Sequence, residues 1–139
     1  MPTEQEKRAI DLVIKYEKQN GRKAIDYSSQ HCIYDVKSSG RLIEVKSRVG
    51  NGVGFSILQN TIDKLSSVQK KQFYLYYVEL RDKPTIRIVP PNILFKNLIP
   101  DTKYRLPARI ISAQKPEKLY CRYTIIIYSF HQINHSPKE

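Results

Sequence analysis

A chain of 139 residues is long enough for one domain with its own core and too short for two of ordinary size. Lys and Arg number 24 against 13 Asp and Glu, a net charge of +11, and with 40% apolar and 27% charged residues the composition argues against wholesale disorder. No uncharged apolar run reaches the roughly 18–20 residues that cross a bilayer, and the opening residues are charged rather than signal-like, so a cytoplasmic protein is expected. Cys32 and Cys121 form no CxxC pair and no histidine stands near either at metal-ligand spacing, which speaks against disulfide scaffolds and zinc modules.

The positive excess implies a polyanionic partner. A membrane-surface helix wants Trp or Phe on its apolar face, and the chain has no Trp, so nucleic acid is the expected partner and no membrane is. Residues 71–139 carry most of the excess, with 12 basic and 5 acidic side chains, while residues 1–70 hold 12 and 8.

In chain order, Thr3 and Glu6 have the spacing of a capping box, Ala9, Ile10, Val13 and Ile14 recur at helical spacing, and Asn20-Gly21 supplies a stop. A helix over about 4–19 follows, with Glu6 within about 40° of Ile10 and Val13 around the axis and so on the inward face. A short strand at 24–27 precedes two strands, 33–37 and 41–48, joined at Ser39-Gly40. A two-residue turn there pairs Lys37 with Leu42, Val36 with Ile43 and Asp35 with Glu44. The same alternation puts Tyr34, Val36, Ile43 and Val45 on one face, and Asp35, Glu44 and Lys46 on the other.

Gly54 to Leu58 reads as a strand, Asn60 as the cap of a helix over 61–70, Phe73 to Leu80 as a central strand covered on both faces, and Thr85 to Val89 as a strand stopped by Pro90-Pro91. A short helix at 92–97 follows. Tyr104 to Ile111 and Leu119 to Phe130 read as a hairpin turning at Gln114 to Lys118, and residues 132–139 as a frayed tail. The organisation is a single domain over 1–139, with a core at about 4–90 and a C-terminal β extension at about 100–131.

Two carboxylates opposed across a hairpin repel, and their repulsion calls for a neutralising group. Hard oxygen donors suit Mg²⁺ or Mn²⁺, commonly held by one or two carboxylates while substrate phosphate completes the shell. Lys46 beside such an ion can position water or stabilise charge on a phosphorane, and Glu6 can hold a further water. A glycosidase also uses two carboxylates but needs neither the lysine nor so basic a surface. Surface ion pairs from Lys37, Arg41 and Lys46 are the structural alternative for the same residues.

Asp35, then Ile43-Glu44-Val45-Lys46 after a short hairpin, with Glu6 on the preceding helix, resembles the core of the PD-(D/E)xK nuclease superfamily. Within it, the segments EKRAIDLVIKYEKQNGR, YDVKSSGRLIEVKSR and FYLYYV resemble the DUF3883 domain, also called the NO VEIN C-terminal domain. The resemblance implies an α/β (α+β) fold with a restriction-endonuclease-like mixed sheet flanked by helices, here with the C-terminal hairpin added. It also implies a Mg²⁺ site at Asp35, Glu44 and the Val45 backbone carbonyl, with Lys46 as the catalytic lysine and Glu6 assisting. Arg48, Lys64 and Lys37 are the expected nucleic-acid contacts, among wider basic candidates that include Arg81, Lys83, Arg87, Lys103, Arg105, Arg109 and Arg122. The expected function is Mg²⁺-dependent endonucleolytic hydrolysis of DNA, of restriction, repair or junction-resolving type, with the choice of DNA over RNA left open and a non-catalytic DNA-binding or protein-interaction module as the alternative. A homodimer is expected because cutting both strands takes two sites.

Overall fold

The computed structural model describes residues 2–49, 55–57, 59–100 and 104–119. Helix α1 (Glu4–Gln19) leads into β1 (Ala24–Asp26), β2 (Val36–Ser38) and β3 (Arg41–Arg48). Then come β4 (Phe55–Ile57), α2 (Gln59–Asp63), α3 (Ser67–Lys70), β5 (Phe73–Glu79), β6 (Thr85–Val89) and α4 (Pro91–Asn97). The last described elements are β7 (Tyr104–Leu106), α5 (Ala108–Ser112) and β8 (Pro116–Lys118).

Six strands form one mixed sheet in the order β1-β2-β3-β5-β6-β8, and β4 with β7 forms a separate two-stranded ribbon. Only β3 and β5 are parallel; the other neighbours in the large sheet are antiparallel. A parallel pair needs a crossover, and the one between β3 and β5 carries α2 and α3. Both faces of the sheet are covered. Ala9, Ile10, Val13 and Tyr16 of α1 pack on Val36, Ile43, Val45, Tyr76, Val78 and Ile86. On the other face Leu42, Phe73, Leu75, Tyr77 and Val89 meet Ile62, Leu65, Leu94, Leu106, Ile110 and Ile111. The alternation along β5 explains why its sequence is apolar throughout: Phe73, Leu75 and Tyr77 face one cluster, Tyr76 and Val78 the other. Each such side chain, fully buried, contributes roughly 1.5–3 kcal/mol.

Helix α1 begins with a complete capping box between Thr3 and Glu6. It ends at Gly21, whose φ of 76° lets the Gly21 and Arg22 N–H groups return to the carbonyls of Lys18 and Glu17. That reversal folds the Arg22 guanidinium over the fully buried Glu17 carboxylate, on which its Nη2 and Nε both donate.

Several sequence expectations are corrected. The helix over 61–70 is two short helices, and Asn60 lies inside α2 rather than capping it. The break falls where Leu65 turns into the core and Ser66 opens a second capping box with Gln69. The strand expected over 104–111 ends at Leu106, because Pro107 has no N–H for a ladder and suits the start of a helix; α5 follows, burying Ile110 and Ile111. Gln114 to Lys118 is not a hairpin turn either, since Pro116–Lys118 pairs with β6 as β8. The expected partner strand at 119–130 lies, beyond Leu119, outside the described residues. Tyr34 does not share a face with Val36: with Ile33 it packs against the cluster containing Leu42 and Phe73.

Candidate active site

The site is built on a tight hairpin. Ser39 and Gly40 have φ of 41° and 85°, the pair of positive values a two-residue turn between twisted strands requires, and Ser39 Oγ accepts from Lys23 N at 2.9 Å. The turn sets the register Ser38–Arg41, Lys37–Leu42, Val36–Ile43, as its two-residue length dictates. There the ladder ends. Strand β3 runs for eight residues, but β2 pairs with only its first three, so from Glu44 onward that edge of β3 faces no strand among the described residues.

Asp35 stands at the point of departure. Its N–H still donates to Ile43 O at 2.9 Å, while its Oδ2 accepts the Val45 N–H at 2.9 Å. A side-chain oxygen has taken the place of the next backbone acceptor, which fixes the carboxylate at the sheet edge. The N–H and C=O of one strand residue leave on the same side, so the Val45 carbonyl faces that edge too. Glu44 belongs by alternation to the face opposite Val45, yet the missing strand lets it open into the same space.

That space is a cavity of about 240 Å³ lined by Glu6, Asp35, Glu44, Val45 and Lys46, with Ala9 and Ile10 of α1 as an apolar wall and Ser28 and Ser47 at its margins. Burial, first, and the nearby Asp35 charge push the Glu44 carboxyl up to about 7, against a smaller downward pull from Lys46. Asp35 is also raised, by burial opposed by the Val45 N–H and the Lys46 charge, with Glu6 and Asp26 adding repulsion. Lys46 Nζ lies 3.2 Å from Glu44 Oε1 and remains more exposed than its partner. One ammonium therefore serves two crowded carboxylates, and Asp35 Oδ1 and Glu44 Oε2 make no hydrogen bond among the described residues.

Glu6 reaches the cavity from the first turn of α1 while remaining exposed. Its Oε2 accepts from Thr3 N at 2.6 Å, and that bond chiefly holds its carboxyl below the usual range. The inward reading and the capping reading of Glu6 thus coexist in one side chain. Beside it, Gln5 Nε2 donates to Ser47 Oγ at 3.2 Å, tying α1 to the free stretch of β3.

Sequence reasoning missed Ser28, which the β1–β2 connection carries to the cavity. Its N–H and Oγ donate to Asp26 Oδ1 at 2.8 and 2.6 Å, and the Asp-x-Ser spacing of that turn was the available signal. Arg48, Lys64 and Lys37 do not line the cavity. Arg87 and Arg81 are occupied by Glu79, and Arg87 also donates to the carbonyls of Ser112 and Gln114. Lys103 and Arg122 lie outside the described residues.

The donor chemistry suits a hard divalent cation. Among the described residues no three Asp, Glu, His or Cys side chains form a ready-made cage. Two carboxylates with free oxygens and a strand carbonyl match the sparse protein shell that Mg²⁺ accepts, since it keeps several waters.

The frame of the site is a mixed sheet covered by helices on both faces, with an acidic gap where β2 and β3 part. In keeping with this, the chain is similar to Hjc, a Holliday junction resolvase from the archaeal hyperthermophile Archaeoglobus fulgidus, at a TM-score of 0.54 and 10% identity, over 88% of this chain and 98% of that one. The likeness is one of fold, the fold of the PD-(D/E)xK nucleases. The profile of the family described as protein NO VEIN, C-terminal, matches residues 5–89, more than half of the chain, and the chain belongs to that family. No curated protein matches it. Among the described residues no helix is long and apolar enough to cross a membrane.

Proposed function

We propose that this cavity is the active site of a metal-dependent endonuclease acting on DNA, and that Asp35, Glu44 and the Val45 carbonyl hold Mg²⁺ or Mn²⁺. The observation that carries the reading is the pairing of two raised, half-satisfied carboxylates with a single lysine in a cavity of a basic protein. A bound divalent ion would supply Lewis-acid polarisation of a phosphate oxygen and a more acidic water. The rest falls to side chains of this chain. Asp35 is oriented by the Val45 N–H and cannot swing away without losing it. Lys46, at the cavity rim, can hold an attacking water or set its charge against the negative charge that develops on phosphorus. Glu6, anchored through Thr3, offers its remaining oxygen to a water on the α1 side. Arg48, Lys64 and Lys37 serve in this reading as phosphate contacts outside the cavity. Hydrolysis in both strands calls for two such sites, so a homodimer belongs to the proposal.

One observation favours a second reading. The Glu44–Lys46 ion pair at 3.2 Å already gives Glu44 a counter-charge from within the chain, as expected if the fold persists as a DNA-binding or protein-interaction module without cleavage. The test offers duplex, branched, single-stranded and RNA substrates with Mg²⁺ or Mn²⁺. Cleavage that stops in chelator and is lost in Glu44→Ala, with DNA binding retained, supports the nuclease. Tight DNA binding with no cleavage of any substrate leaves the binding module.

A further inference from the structure

A second concavity shares no lining residue with the acidic cavity. An open groove of about 670 Å³ runs between the end of α3 and the start of α4. Its lining includes two aromatic rings, Tyr74 of β5 and Phe95 of α4, and the pyrrolidine rings of Pro90 and Pro91 at the start of α4. Lys70 and Lys71 stand at its edge, exposed and without an ion-pair partner among the described residues, and no carboxylate lines it.

The rings are held from behind. The Arg41 guanidinium lies 4.5 Å from the Tyr74 centroid and donates to Tyr76 Oη at 2.7 Å. Tyr74 meets Tyr76 edge-on at 6.4 Å, and Phe95 leans on Phe73 at 6.3 Å. All four ring residues are half-buried, so the platform is set by packing rather than by a mobile side chain.

Aromatic faces beside unpaired ammoniums match the chemistry of an unpaired nucleotide, whose base stacks while its phosphates meet the lysines. An aliphatic peptide would be better served by branched side chains than by rings, and an enclosed small molecule by a deeper pocket. We propose that this groove binds single-stranded DNA, with bases stacked on its aromatic rings and phosphates at Lys70 and Lys71. The proposal rests on the nucleic-acid part of the reading above and not on cleavage.

The experiment is done in chelator, so that catalysis plays no part. Anisotropy of a labelled oligothymidylate of about 15 nucleotides is compared with that of a duplex of equal length. Wild type should bind the single strand more tightly. Lys70→Glu with Lys71→Glu should weaken that binding about tenfold or more and lower the salt slope by about 1.4, the value for two lost contacts on a single strand. The same charge change at the exposed Lys18 and Lys23, far from the groove in sequence and absent from its lining, should cost under about threefold. Bromodeoxyuridine cross-links from the oligonucleotide should map to Tyr74 or Phe95. Equal losses in the two double variants, preference for duplex, cross-links elsewhere, or displacement of the strand by an acidic tyrosine-containing peptide at equal concentration would each overturn the proposal. If the strand binds here but no substrate is ever cut, the nuclease reading fails and this one stands.

Discussion

Glu44 on β3 and Glu79 on β5 sit on neighbouring strands and have opposite surroundings. Glu79 accepts from Arg87 Nε at 2.6 Å and lies 3.3 Å from Arg81, and Arg87 goes on to bind two backbone carbonyls near the end of α5. Two cations serve one acid there, and the cluster ties β5, β6 and α5 together. At Glu44 the ratio is reversed, with Asp35 and Glu44 sharing Lys46. A surplus of cations makes an acid a structural strut, whereas a surplus of acids stores repulsion that an added cation can relieve.

The largest effect is expected at Lys46: Lys46→Ala should lower metal-dependent cleavage by about 10²–10³-fold while binding of DNA in chelator is kept, as read in single-turnover assays. Next, Arg87→Ala should cost about 1–3 kcal/mol in urea unfolding, because it leaves Glu79 only the longer Arg81 contact and takes the donor from two carbonyls at once. Glu44→Gln should not destabilise the metal-free protein in the same assay at pH 8, since it removes a repelled charge. A result the other way round would reverse the roles of the two acids.

A smaller effect is the pH dependence of metal-free stability. Glu44 has an ordinary value of 4.5 and is pushed up to about 7, so between those pH values the folded chain holds a proton that the unfolded chain has released. Stability should therefore be greatest on the acid side of that window and fall as pH rises through it, by on the order of 2 kcal/mol. Urea midpoints in chelator at pH 5 and pH 8 measure the slope, and Glu44→Gln should flatten it. The smallest effect is at the cap. Thr3→Ala should cost about 1 kcal/mol by thermal or urea unfolding, and it should raise the Glu6 carboxyl, which carbon-detected NMR titration can follow.

Local signals were legible wherever a few neighbouring residues decide the outcome. The Thr3–Glu6 box and Gly21 delimit α1, Ser39-Gly40 sets the hairpin register, and the double-sided apolar run marks β5. Reading failed where one residue overrides a longer pattern. Pro107 converts an apparent strand into β7 and α5, and Ser66 divides an apparent helix. Ser28 could not be placed by periodicity, because an Asx turn and not a strand or helix brings it to the cavity.

By itself, then, the amino-acid order determined the charge balance, the first helix, the hairpin and the closeness of Asp35, Glu44 and Lys46, since these depend on turns and alternation within a few residues. Tertiary structure alone decided that β2 begins only at Val36, that Asp35 takes the Val45 N–H, and that Ser28 reaches the same cavity. It likewise decided which arginines are consumed by Glu79. These outcomes depend on which strands run out of partners and which helices cover the sheet, and such long-range pairing is not encoded in the spacing of neighbours along the chain.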